Sequence, residues 1–147
     1  MPVDAVVLLD DRLLVEERLV GLPTGRRQLR LYTTSCWYYR ACRAAVAGAG
    51  GQLSGPFEQL PRAEQERAIL SLLELREDIG LPDPRRAVPV MAEVARRHPH
   101  LNLLNLEATA AALDLRAEVW LSERAAEGLL PGVLETEGLP WRLVATA

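Results

Sequence analysis

The chain has 147 residues, of which 49% are hydrophobic and 25% charged, a size and balance that suit one domain with a substantial core and exclude a disordered chain. The formal net charge of -3 argues against nonspecific nucleic-acid binding through an overall basic surface, although a local basic patch remains open. All 17 basic residues are arginine, and without lysine neither a Gly-Lys-Ser/Thr phosphate loop nor Schiff-base chemistry is available. Heavy use of Arg, Ala, Leu, Gly and Pro also suits a GC-rich coding sequence, so the arginine count alone is not read as recognition.

The apolar run Ala5 to Leu9, ended by Asp10 and Asp11, predicts a central strand buried on both faces. Leu13 to Val20 carries apolar residues at helical spacing and is broken by Gly21, Pro23 and Gly25, which predicts a short helix. Leu29 to Tyr32 predicts a second strand. Thr33, Thr34 and Ser35 then offer hydroxyl caps to a helix over Cys36 to Ala47, closed by Gly48 to Gly51. A helix is predicted over Arg62 to Asp78, stopped by Gly80, Pro82 and Pro84, and an amphipathic one over Val88 to Arg97. Asn105 or Asn102 caps a helix running to about Leu115, whose alanines suit close packing on a sheet. Glu118 to Leu121 reads as a strand, Pro131-Gly132 and a charged stretch as a turn, and Trp141 to Val144 as a final strand. Strands alternating with helices imply a three-layer α/β/α sandwich around a mostly parallel sheet, with residues 1–147 forming a single domain.

Two of these strands finish in acids, and in open parallel sheets ligands bind beyond the carboxyl ends of the strands. Asp10 and Asp11 end the first and Glu123 the one starting at Glu118, while Asn105 and Glu107 open the helix between them. Converging oxygens of this kind suit Mg²⁺ or Mn²⁺. The plainer reading is that the acids terminate apolar runs and favour helix starts.

The order and spacing of Val-Val-Leu-Leu-Asp at 6–10, Leu-Tyr-Thr-Thr-Ser at 31–35, the stretch Leu101 to Ala117, and Glu-Val-Trp-Leu-Ser-Glu-Arg at 118–124 together resemble a PIN domain, a family that includes the ribonuclease toxins of toxin-antitoxin pairs. The resemblance spans nearly the whole chain, and no single motif in it is strict. It implies a quartet of acids around Mg²⁺ or Mn²⁺. Asp10 matches the first acid. The second falls near Arg40, the third on Asn105 with Glu107 two residues away, and the fourth on Glu123, so the catalytic set it implies is Asp10, Glu123, Asn105 and Glu107. Asp10, Asp11 and Glu123 are the metal-ligand candidates. An arginine in place of a carboxylate shifts local charge by two units and weakens cation binding by orders of magnitude if it points inward. The implied metal is then held weakly or lost.

Arg26, Arg27, Arg30, Arg40 and Arg43 flank the second strand and its helix, with Trp37, Tyr38 and Tyr39 among them. Guanidinium forks and aromatic faces in this grouping suit phosphates and bases of single-stranded RNA, with Arg40, Arg43, Arg30 and Trp37 the nucleic-acid candidates; three consecutive aromatics also place at least one ring in the core. His98-Pro99-His100 has no acid or cysteine at ligand spacing and reads as a solvated loop. Gly48, Gly50, Gly51 and Ser54 follow a helix instead of preceding one, so they cap it. Cys36 and Cys42, six apart in one helix, point to different faces and do not pair. Cys36 reads as a small buried apolar residue rather than a nucleophile. No basic leader with an apolar core and no apolar run near ~20 residues is present, so the cytoplasm is the expected compartment.

Taken together, these features predict a PIN-like domain with an eroded acid cluster that binds RNA, an antitoxin or another protein, with weak or no nuclease activity. The rivals are an active Mg²⁺- or Mn²⁺-dependent ribonuclease with Asp10, Asp11, Glu107 and Glu123 as a shifted cluster, and a homodimeric interaction module seamed by Ala68 to Leu75.

Overall fold

The computed structural model describes residues 5–19, 21–22, 28–47, 61–75 and 77–146. The expectations placed on Arg26, Arg27, Gly48 to Gly51 and Ser54 fall outside the described residues.

The chain runs β1 (Ala5–Leu9), α1 (Asp11–Leu19), β2 (Leu29–Thr33), α2 (Ser35–Ala47), α3 (Arg62–Leu73), β3 (Ile79–Gly80), α4 (Pro84–Arg97), α5 (Leu103–Leu115), β4 (Glu118–Leu121), α6 (Glu123–Ala126), α7 (Leu130–Thr136) and β5 (Trp141–Leu143). The strands form one five-stranded sheet in the order β3-β2-β1-β4-β5, and every neighbouring pair is parallel. β1 lies at the centre because its residues are apolar on both faces. Val7 and Leu9 pack with Leu13 and Trp120, while Leu8 on the opposite face packs with Ala108, Ala111, Ala112 and Val119. Helices therefore cover the sheet on both sides, which gives the expected three-layer α/β sandwich. The alanines of α5 are fully buried, and their small side chains let that helix lie close against β1 and β4. No helix among the described residues is long and apolar enough to cross a membrane.

Several predicted boundaries differ for physical reasons. The helix expected to reach Asp78 ends at Leu73, because Ile79 and Gly80 pair with Leu31 and Tyr32 as an edge strand. A Cβ at Gly80 would overlap the Tyr32 ring, so glycine there permits strand approach and is not a helix stop. The proline at 84 begins α4 instead of blocking it: Asp83 caps the helix by accepting from the Arg85 N–H at 2.9 Å, and Pro84 occupies the first turn, where its missing donor costs nothing. The stretch expected to turn at Pro131-Gly132 is helix α7, whose Leu130, Val133 and Leu134 are buried.

Candidate functional site

Strand order reverses between β1 and β4, so the crevice at their carboxyl ends is the topological switch point of the sheet. Asp10 leaves β1 directly into this crevice and is fully buried. Its Oδ1 accepts from the Leu13 N–H at 2.9 Å and thereby caps the first turn of α1. Its Oδ2 accepts from both the N–H (2.8 Å) and the hydroxyl (2.6 Å) of Ser122 at the end of β4. One carboxylate thus ties together the exits of the two central strands. Burial holds the Asp10 carboxyl above its ordinary range, with the Ser122 and Leu13 hydrogen bonds pulling the other way.

Asp11, the first residue of α1, is 7% exposed. Its Oδ1 accepts from the Arg12 N–H at 3.0 Å, and its Oδ2 lies 3.3 Å from Nε of Arg40. Burial raises this carboxyl too, while the Arg40 guanidinium opposes the shift.

Glu107 reaches the neighbouring strand exit from α5. Its Oε2 accepts from the Ser35 N–H at 3.1 Å and its Oε1 from the Cys36 N–H at 2.7 Å. These are unpaired donors at the start of α2, where the helix dipole favours a negative charge. Thr34 completes that cap by accepting from the Trp37 N–H at 3.1 Å, and Thr33 donates its hydroxyl to the Leu9 carbonyl at 2.8 Å, stitching β2 to β1. Beside Glu107, the Cys36 thiol is pushed up to about 11, chiefly by burial.

The other sequence candidates are dispersed. Glu123 follows Ser122 and is exposed at the start of α6. Asn105 lies half-buried in the first turn of α5; the cap is Asn102, whose side chain accepts from the Asn105 N–H at 2.9 Å. Arg43 and Arg30 are exposed, the latter 3.3 Å from the Tyr32 hydroxyl and stacked over that ring.

Trp37 corrects one expectation. It is 2% exposed and packed with Leu8, Ala108 and Val119, so its ring is core and does not face a base. Tyr38 is also committed, donating its hydroxyl toward the Leu72 and Leu73 carbonyls at 3.0 and 2.9 Å. Of the three aromatics, Tyr39 presents an open ring, at 63% exposed.

His98 is a second correction. Its Nε2 lies 3.1 Å from Oε2 of Glu137, which Arg97 grips with both Nε and an NH2 group, so His98 joins α4 to α7 instead of lying in a solvated loop. Among the described residues no three His, Cys, Asp or Glu side chains are grouped to hold a metal ion. Both cysteines are free.

Sequence reasoning named the acids but missed their partners. The signal for Ser122 was its place directly after an apolar strand. For Glu107 it was an acid on an otherwise apolar helix face, which implies a buried donor to satisfy.

No family model and no curated protein matches the chain. Among solved structures, the fold is similar to that in the 2.2 Å structure of VapBC-1 from nontypeable Haemophilus influenzae, with a TM-score of 0.52 and 14% identity over 93% of this chain and 96% of that one. At this identity the likeness is one of fold alone, an α/β architecture consistent with the PIN-like expectation.

Proposed function

We propose that this is a PIN-like protein of the toxin-antitoxin type whose carboxylate edge has passed from metal holding to structural duty, and that it acts by binding RNA or a protein partner, with weak cleavage or none. The commitment of Asp10 and Glu107 carries the reading. Mg²⁺ wants carboxylate oxygens converging on one octahedral point with room for its waters. Here the oxygens of Asp10 accept three internal hydrogen bonds and those of Glu107 two. Asp11 faces a guanidinium, and Glu123 is turned to solvent. A donor set arranged this way does not fit the divalent centre that the PIN resemblance implies.

An antitoxin-type protein partner is supported by the fold likeness to VapBC-1 together with the sequence resemblance. For RNA, the available contacts are Arg30 and Arg43 with the ring of Tyr39, all exposed, in place of Trp37 and of Arg40, which is paired with Asp11. The homodimer reading draws less support. Along α3, Ala68, Ile69 and Leu72 pack inward against α1 and α2, leaving Leu70 and Leu73 as the outward apolar residues.

The active-ribonuclease reading keeps one observation in its favour, Asp10 standing at the switch point. Cleavage of mixed RNA with and without a chelator, run beside a calorimetric Mn²⁺ titration, separates the two. The proposal expects neither saturable heat nor chelator-sensitive cleavage. Tight Mn²⁺ binding with cleavage abolished by Asp10→Asn would refute it.

A further inference from the structure

We propose that Arg40 is a tethered counter-ion: its guanidinium takes the place over the Asp10–Asp11 edge that a free cation would take, and so closes the edge to divalent ions. The inference deepens the functional reading above and rests on it for the statement that the native edge binds no metal.

Two adjacent buried carboxylates repel each other, and each raises the cost of ionising the other. Asp10 has three hydrogen-bond donors to hold its charge. Asp11 has the N–H of Arg12 and the Arg40 guanidinium, 3.3 Å from Oδ2. The Arg40 side chain is 51% exposed and that of Asp11 10% exposed, so the guanidinium sits at the mouth, between a buried anion and solvent. A desolvated partner makes this contact stronger than an ordinary surface pair.

The contact is also imposed by the fold. Four consecutive anchors fix the rotation of α2 before Arg40 is reached. Glu107 grips the N–H groups of Ser35 and Cys36, Trp37 is buried, and the Tyr38 hydroxyl is held by carbonyls of α3. With the helix so held, residue 40 emerges beside Asp11. Its charge then cannot drift to another face without unfastening α2.

The test uses the full chain and Mn²⁺ alone, followed by calorimetry, for the native protein, Arg40→Gln, Arg40→Glu and Arg40→Glu combined with Asp11→Asn, with folding of each checked by thermal melting. Arg40→Gln frees the Asp11 carboxylate while Asp10 keeps its internal donors, and should gain weak Mn²⁺ binding. Arg40→Glu should bind at least roughly tenfold more tightly than Arg40→Gln, since a further negative charge is added at the same mouth. Adding Asp11→Asn should reverse the gain. The inference is overturned if neither Arg40 variant binds Mn²⁺ more tightly than the native chain, or if the gain survives Asp11→Asn. If the native chain cleaves RNA in a chelator-sensitive way, the functional reading fails first; flat titrations in folded Arg40 variants of an inactive native chain sink the counter-ion alone.

Discussion

Replacing Glu107 by alanine separates a structural clamp from a metal ligand, because the two roles predict opposite signs in the metal-free protein. Acids gathered to hold a cation repel one another when the cation is absent, so removing one leaves stability unchanged or raises it. A clamp behaves otherwise. Glu107 is 7% exposed and accepts from two N–H groups at 3.1 and 2.7 Å. Hydrogen bonds to a charged group contribute about 1.5–3 kcal/mol each, and a negative charge at a helix N-terminus adds about 0.3–1 kcal/mol. Ser35 is exposed and Cys36 half-buried, so water recovers part of the loss, and we expect Glu107→Ala to cost about 2–4 kcal/mol. At about 2–4 °C per kcal/mol for a chain near this size, the midpoint should fall by roughly 5–15 °C. Glu107→Gln keeps one acceptor but turns an NH2 toward the second N–H, for an intermediate cost of about 1–2 kcal/mol. Urea unfolding in excess chelator reads both, provided the slope is unchanged. A cost below about 1 kcal/mol for Glu107→Ala, or any stabilisation, refutes the clamp.

Ser122→Ala removes the 2.6 Å hydroxyl bond to Asp10 and should cost about 1.5–3 kcal/mol at neutral pH. Asp10 is held above its ordinary value of 3.8, so its favourable contribution is full below that pH and is lost as pH rises through the raised folded value. The serine donor offsets that loss. The alanine penalty should therefore grow as pH rises, and a penalty that is flat with pH would contradict the geometry. Trp37→Ala should destabilise by about 3–5 kcal/mol as a core truncation, whereas Tyr39→Ala should stay within about 0.5 kcal/mol; equal effects in chemical denaturation would contradict the placement of the two rings. Glu137 is held below its ordinary value of 4.5, first by the Arg97 hydrogen bonds and also by His98. Its stabilising contribution is present above that value and lost as pH falls through the lowered one. Glu137→Gln should thus weaken the native state at pH 7 and lose its effect in acid, and a cost that persists at low pH, followed by thermal melting, would show that the pair is not what joins α4 to α7.

The elements legible in the sequence are those whose partners lie on both sides. β1 and β4 were readable to the residue because a strand covered on two faces is apolar along its buried length, as Val7 to Leu9 and Val119 to Leu121 are. The elements missed depend on distant partners. Ile79 and Gly80 become a strand only because Leu31 and Tyr32 lie open beside them, and a two-residue strand carries no period to detect. Helix α7 was hidden behind Pro131 and Gly132, but proline in a first turn is benign and the burial of Leu130 and Leu134 repays the glycine. Pro84 was read as a stop and Pro131 as part of a turn, and both lie in the first turn of a helix.

The candidate site shows the same limit in a sharper form. That Asp10 lies beside the end of β4 follows from the strand order, of which the alternation of elements made only the parallel pairing inferable. What each carboxylate does there was not, because the answer lies in single hydrogen bonds between residues as far apart as Asp10 and Ser122, or Glu107 and Ser35. A buried acid must be neutralised, hydrogen-bonded or paired, whatever its ancestry. A metal satisfies several acids at once and leaves them alike, whereas internal donors satisfy them one at a time and leave them different. Here Asp10 caps a helix and fastens a strand exit, Glu107 caps another helix, and Asp11 takes a guanidinium.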